Sequence, residues 1–130
     1  MTRDLTKPLK VVIAGSREIR DPSLLMTAIH DAGFVIGEVI SGGARGVDRL
    51  AESWASTKGI PLRIFEADWE RYGKAAGPIR NLKMADYADA LIAIWDGKSR
   101  GTKNMIETAE KQGIPVHVHL CGEMVPERSR

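Results

Sequence analysis

The feature that most constrains this chain is its alternation. Five short apolar runs are separated by four helical patterns, and glycine follows closely on three of the runs. The runs are Lys10–Ala14, Glu38–Ser41, Leu62–Glu66, Ala90–Trp95 and Ile114–Leu120. Asp21 and Pro22 suit a helix start. The helix they open carries Leu24, Leu25, Ala28 and Ile29 on one stripe and stops near Gly33. A second helix spans Val47 to Thr57, with Leu50, Ala51, Trp54 and Ala55 inward and Gly59 ending it. The stretch Ala67 to Gly77 reads as irregular. Pro78 then opens a helix to about Tyr87, and Thr102 to Gln112 forms another, closed by Gly113. A strand that returns parallel to its neighbour needs a right-handed crossover, usually a helix. Strict alternation therefore predicts an α/β chain: one Rossmann-like, doubly wound domain with a mainly parallel five-stranded sheet and helices on both faces. One domain is expected over residues 1–130, with its core at about 10–120 and frayed ends at 1–8 and 121–130. A TIM barrel does not fit this length.

Ligands of such folds bind at the carboxyl ends of strands, near the point where strand order reverses. That directs attention to the loops after the first, second and fourth strands. The first is Gly15-Ser16-Arg17, a tight turn with a hydroxyl and a guanidinium fork for an anion. The second is Ser41-Gly42-Gly43-Ala44-Arg45-Gly46-Val47-Asp48, where backbone N–H groups lead into a helix N-terminus. Gly43-x-x-Gly46, with Glu66 about twenty residues on, imitates a dinucleotide fingerprint. Ser41, however, holds the place of its first glycine, and the second strand precedes it, so no NAD cofactor is expected. The third loop follows Trp95 and runs Asp96-Gly97-Lys98-Ser99-Arg100-Gly101-Thr102. It lacks the Gly-Lys-Ser/Thr ending of a phosphate-binding Walker loop. Six of the thirteen glycines lie in these three loops: Gly15, Gly42, Gly43, Gly46, Gly97 and Gly101.

Between the third and fourth strands, Trp69 or Tyr72 suits stacking on a base, and Arg80 and Asn81 stand in the first turn of a helix beside the cleft. His117, His119 and Cys121 alternate on the last strand. No local carboxylate completes a metal site, and the polar face of an edge strand explains the pattern, so no metal is expected. Nineteen basic against seventeen acidic residues leave a net charge of +2, too balanced for bulk DNA binding. A single Cys excludes an internal disulfide framework. No apolar run approaches membrane length, and the first residues lack the apolar core of a signal peptide. A soluble, cytoplasmic setting is expected.

Five motifs then form a recognisable series: Val11-Val-Ile-Ala-Gly-Ser-Arg17, Ser41-Gly-Gly-Ala-Arg-Gly-Val-Asp48, Asp68-Trp69, Ala76-Gly-Pro-Ile-Arg-Asn81 and Ser99-Arg-Gly-Thr102. In this order they resemble the YspA-type, YpsA-related branch of the SLOG superfamily (domain of unknown function 2493), over roughly Lys10 to His119. The superfamily includes the DprA-type proteins and the LOG phosphoribohydrolases. The resemblance implies a Rossmann-like fold, a nucleotide-derived ligand of the phosphorylated-nucleoside or ADP-ribose kind, and nucleotide sensing in bacterial or phage settings. It also implies a dimer or larger homo-oligomer.

LOG enzymes cleave the N-glycosidic bond of nucleoside monophosphates with an Arg before the fourth strand and a Pro-Gly-Gly-x-Gly-Thr-x-x-Glu loop after it. Arg80 matches the Arg, Met84 a Met that follows it, and Gly101-Thr102 the Gly-Thr. The catalytic Glu falls at Met105, and a thioether does no acid–base work. Glu107 points elsewhere on the helix. The expected activity is therefore binding, as a signal sensor or a phage-type sponge. The alternative is a LOG-type hydrolase with Arg80 catalytic. The expected ligand contacts are Gly15, Ser16, Arg17, Ser41, Gly42, Gly43, Ala44, Arg45, Gly46, Asp48, Trp69, Arg80, Asn81, Trp95, Asp96, Ser99, Gly101 and Thr102.

Overall fold

The structure is a computed structural model and describes residues 7–121. Five strands are present: β1 (Leu9–Gly15), β2 (Ile36–Ser41), β3 (Leu62–Ile64), β4 (Ala90–Trp95) and β5 (Val116–Leu120). They form one sheet in the order β3-β2-β1-β4-β5, and all four pairings are parallel. The helices are α1 (Pro22–Ala32), α2 (Val47–Lys58), the short α3 (Trp69–Tyr72), α4 (Ala76–Tyr87) and α5 (Arg100–Gln112).

Period-two alternation divides the strand residues between two cores. Val11, Ile13, Val39, Ile92 and Ile94 face α1 and α2 through Leu25, Ala28, Ala51 and Ala55. Val12, Ile40, Leu91 and Ala93 face α4 and α5 through Met84, Ala85, Met105, Ile106 and Ala109. On α5 the buried positions Thr102, Met105, Ile106 and Ala109 keep the i, i+3, i+4, i+7 spacing of one helical stripe. Helices thus cover both faces, and β1 and β4 are buried from both sides. The winding reverses between β1 and β4, which opens a cleft at their carboxyl ends. Where α4 ends, Tyr87 lies under Lys10 (Nζ 4.3 Å from the ring centre) and Arg63 (4.8 Å), and its hydroxyl donates to Glu38.

Several boundaries differ from the sequence reading. β3 stops at Ile64, although the Phe65 N–H still donates to Ser41 O. The strand is an edge, and Leu62 and Ile64 gain little burial from continuing. The segment read as irregular contains α3, capped by the Asp68 carboxylate on the Arg71 N–H, and a 3-10 turn at Gly73–Ala75. α4 starts at Ala76, two residues before Pro78. Pro is tolerated there because a first-turn N–H has no intrahelical partner. α5 starts at Arg100, since Ser99 is its cap. β5 starts at Val116 rather than Ile114, whose N–H still donates to Ala109 O at the end of α5. Cys121, expected at a loose end, is buried, and its N–H donates to Trp95 O at 2.8 Å. Lys7 and Pro8 are exposed and precede β1, and the remaining expected frayed residues, 1–6 and 122–130, lie outside the described residues. His117 and His119 stand on the edge strand β5, but they are half-buried and the exposed residues there are Val118 and Leu120, so the histidines are not the solvent face that the sequence reading expected. Among the described residues no helix is long and apolar enough to cross a membrane.

Candidate functional site

The loops after β1, β2 and β4 meet at Ser16. This buried residue accepts the Val47 N–H at its carbonyl and the Asp96 N–H at its hydroxyl, and its own N–H donates to Ile94 O. Gly46 packs against the same knot. Its φ is +76°, and a Cβ there would lie 2.5 Å from Ser16 O. Ser41 is also buried: its hydroxyl donates to Glu52 at 2.7 Å and accepts the Gly43 N–H. Asp96 folds the third loop by accepting the Lys98 and Ser99 N–H groups, and Trp95 Nε1 donates to Ser99 O. Burial works against ionised Asp96, but those hydrogen bonds outweigh it and hold its carboxyl below the ordinary range. Ser16, Ser41, Gly46, Trp95 and Asp96 therefore stand behind the cleft wall and fix its shape.

The cleft has two lobes. The first, about 260 Å³, is lined by Gly15, Arg17, Asp48, Arg80, Asn81 and the first turn of α5, with Met84 and Met105 among its apolar residues. Ser99, Gly101 and Thr102 supply that first turn. The second, about 390 Å³, is lined by Gly42, Gly43, Arg45, Glu66, Ala67 and Trp69. Arg17, Ala44 and Arg80 border both. Thirteen of the eighteen expected contacts thus line two adjoining hollows with a shared border, and the five wall residues do not.

Arg80 is the hub. Its Nη1 donates to Gly42 O at 2.6 Å and its Nε to Asn81 Oδ1 at 3.0 Å. A Cβ on Gly42 would lie 2.7 Å from Arg80 Nη1, so the guanidinium would have to shift to admit any other residue there. Asn81 extends the chain of bonds to Asn104 (2.8 Å), and its Nδ2 lies 3.4 Å from Gly101 O. Asn104 was not singled out in the sequence; its place two residues after Thr102 gave no motif signal. Burial lowers the Arg80 pKa, the Asp48 carboxylate works against that, and repulsion from Arg17 adds to it. Arg17 and Arg80 thus share the first lobe, with one buried carboxyl beside them.

That carboxyl belongs to Asp48, and burial pushes its pKa up to about 6. It accepts the N–H groups of Ala44 (3.0 Å) and Gly42. Two N–H groups of the glycine loop are thus held by its own side chains, Ala44 by Asp48 and Gly43 by Ser41, and the Gly42 N–H also acts on the Asp48 carboxyl. The N-terminus of α5 differs. Ser99 Oγ meets Thr102 alone, its hydroxyl at 3.1 Å and its N–H at 3.5 Å, which leaves the N–H groups of Arg100 and Gly101 without an intrahelical partner. A Cβ on Gly101 would meet nothing within 4 Å, and its φ is not in the left-handed range. Folding alone does not require glycine at that position.

A protein from Mycobacterium phage D29, the Gene 61 protein, is 37% identical over 119 residues, covering 82% of this chain and 93% of that protein. Residues 9–72 match the family model described as YspA, cpYpsA-related SLOG. The chain belongs to that SLOG family. Its fold is also similar to that of DNA processing protein A from Streptococcus pneumoniae, with a TM-score of 0.66 and 21% identity. That match covers 88% of this chain, which spans half the length of that protein. Within this SLOG fold, Arg80, Met84 and Met105 all border the first lobe. Glu107 is exposed on α5 and borders neither lobe.

Proposed function

We propose that this SLOG domain captures a nucleotide-derived anion in the two-lobed cleft and does not turn it over. The observation that carries the reading is Gly101. It offers an open backbone N–H at the start of a thirteen-residue helix, beside two guanidinium groups. Helix N-termini and arginine forks both suit phosphate oxygens. The phosphate sits on the Gly101–Thr102 turn, because the Gly42–Gly46 loop already holds a carboxylate of its own. The nucleoside lies in the second lobe against Trp69. The absence of a carboxylate at Met105 supports capture over cleavage, and the phage relative fits a role as sensor or sponge. Calorimetric titration with nucleoside mono- and diphosphates and ADP-ribose, with mass spectrometry of anything that co-purifies, tests it. No binding across that panel would overturn it.

A second reading, a LOG-type hydrolase, draws support from Asp48. A carboxyl with a pKa near 6, in the same lobe as Arg80, is poised for proton transfer. Incubation with nucleoside monophosphates decides between the two: base release by chromatography favours cleavage, and intact ligand with binding favours capture.

A further inference from the structure

The second lobe contains a carboxylate that the phosphate reading does not use. Glu66 lies two residues past β3, an exposed residue whose Cγ is 3.6 Å from where a Cβ on Gly43 would be. Among the described residues it has no hydrogen bond and no ion pair, although Arg45 and Arg80 border the same lobe. Arg45 is directed instead to Glu18, at 3.5 Å. In the same lobe, Trp69 is 52% exposed, unusual for a residue that is normally mostly buried. Its ring edge rests on Gly77, at 3.4 Å from the Cβ position. The lobe thus combines an aromatic plate, an unpaired acceptor and two cations at its inner border.

An ionised carboxylate only accepts hydrogen bonds. The two vicinal hydroxyls of a ribose present two donors side by side, a match for its two oxygens. A base beyond that ribose stacks on an indole, and the 5′-phosphate points back toward Arg17, Arg80 and α5. Dinucleotide-binding folds hold a ribose in a related way, with an acid at the end of the strand that follows the glycine loop. Here β2, the glycine loop, α2 and β3 present Glu66 in that relation, one unit later in the chain than in those folds.

We propose that Glu66 is the sugar-reading residue of the cleft, which therefore selects ribonucleotides with free 2′- and 3′-hydroxyls over 2′-deoxy and 2′-phosphorylated forms. This rests on the nucleotide reading above. The test is calorimetry of the full chain with AMP, GMP, their 2′-deoxy counterparts and adenosine 2′,5′-bisphosphate. Each ribonucleotide is expected to bind roughly tenfold or more tightly than its deoxy form, the scale of one hydrogen bond to a charged group. Glu66→Ala should bring each ribo/deoxy ratio to near one and relieve the rejection of the 2′-phosphate. Trp69→Ala should weaken ribo and deoxy forms alike and leave the ratio in place. Equal affinity of ribo and deoxy forms for the wild type, or a ratio untouched by Glu66→Ala, overturns the role of Glu66 while the nucleotide reading stands. No binding by any of the probes overturns both.

Discussion

Replacing Asp48 with Asn should make the protein more stable at neutral pH. The carboxyl is 6% exposed, and burial raises its pKa from 3.8 to about 6. Hydrogen bonds from Ala44 and Gly42 and the attraction of Arg80 act against that rise, while Glu52 adds to it. The folded state therefore holds this proton more tightly than the unfolded state does. Stability is fully present well below pH 4, falls through pH 4 to 6, and stays reduced above. A shift of about two units corresponds to about 3 kcal/mol between those limits. Asp48→Asn keeps the acceptor for Ala44 but does not ionise. The stability of the variant relative to wild type should thus rise by about 2 kcal/mol from pH 4 to pH 7.5, the remainder being lost already by pH 4. Urea unfolding at both values, followed by tryptophan fluorescence, measures the difference, and titrations elsewhere in the fold cancel. A difference that stays constant with pH, or a variant less stable than wild type at pH 7.5, would refute the reasoning.

Other expectations follow from the cleft. Gly101→Ala should stabilise the free protein by about 0.5–1 kcal/mol, because a helical glycine is replaced where space is open. The same change should weaken AMP binding at least tenfold in calorimetry, so stability and affinity move in opposite directions. Gly42→Ala should instead destabilise by about 1–3 kcal/mol in denaturant titrations, because its Cβ displaces the Arg80 guanidinium. Arg80→Ala should weaken AMP and ribose 5-phosphate by similar factors, since it meets the phosphate and not the base. Calorimetry with both ligands would expose a base contact as unequal losses.

The alternation of strands and helices made the architecture legible, because parallel strands admit few connections. The same pattern pointed to the loops after β1, β2 and β4, where the cleft opens. What each loop residue does was harder to read. Ser16, Ser41 and Asp96 carry the atoms expected of ligand contacts, yet the fold uses those atoms on itself: Ser16 to reach the Asp96 N–H, Ser41 to reach Glu52 on α2, and Asp96 to fold its own loop. Only three-dimensional proximity shows that Asp48 occupies the glycine loop's N–H groups. Gly42 and Gly101 look alike in sequence. One makes room for Arg80 from about forty residues away, and the other faces open space. The start of α4 was misplaced because Pro78 reads as a helix opener, while a first turn admits it as an inner residue.

The knot at Ser16 bears on how the three loops move. With Val47, Ile94 and Asp96 all bonded to one residue, moving Ser16 breaks its ties to β4, to α2 and to the third loop together. Opening is then expected to be a concerted event. The amides of Ser16, Val47 and Asp96 should exchange their hydrogens with solvent at a common rate, as one cooperative unit. A ligand would meet a cleft already assembled, so its arrival would be governed by encounter and not by loop closure.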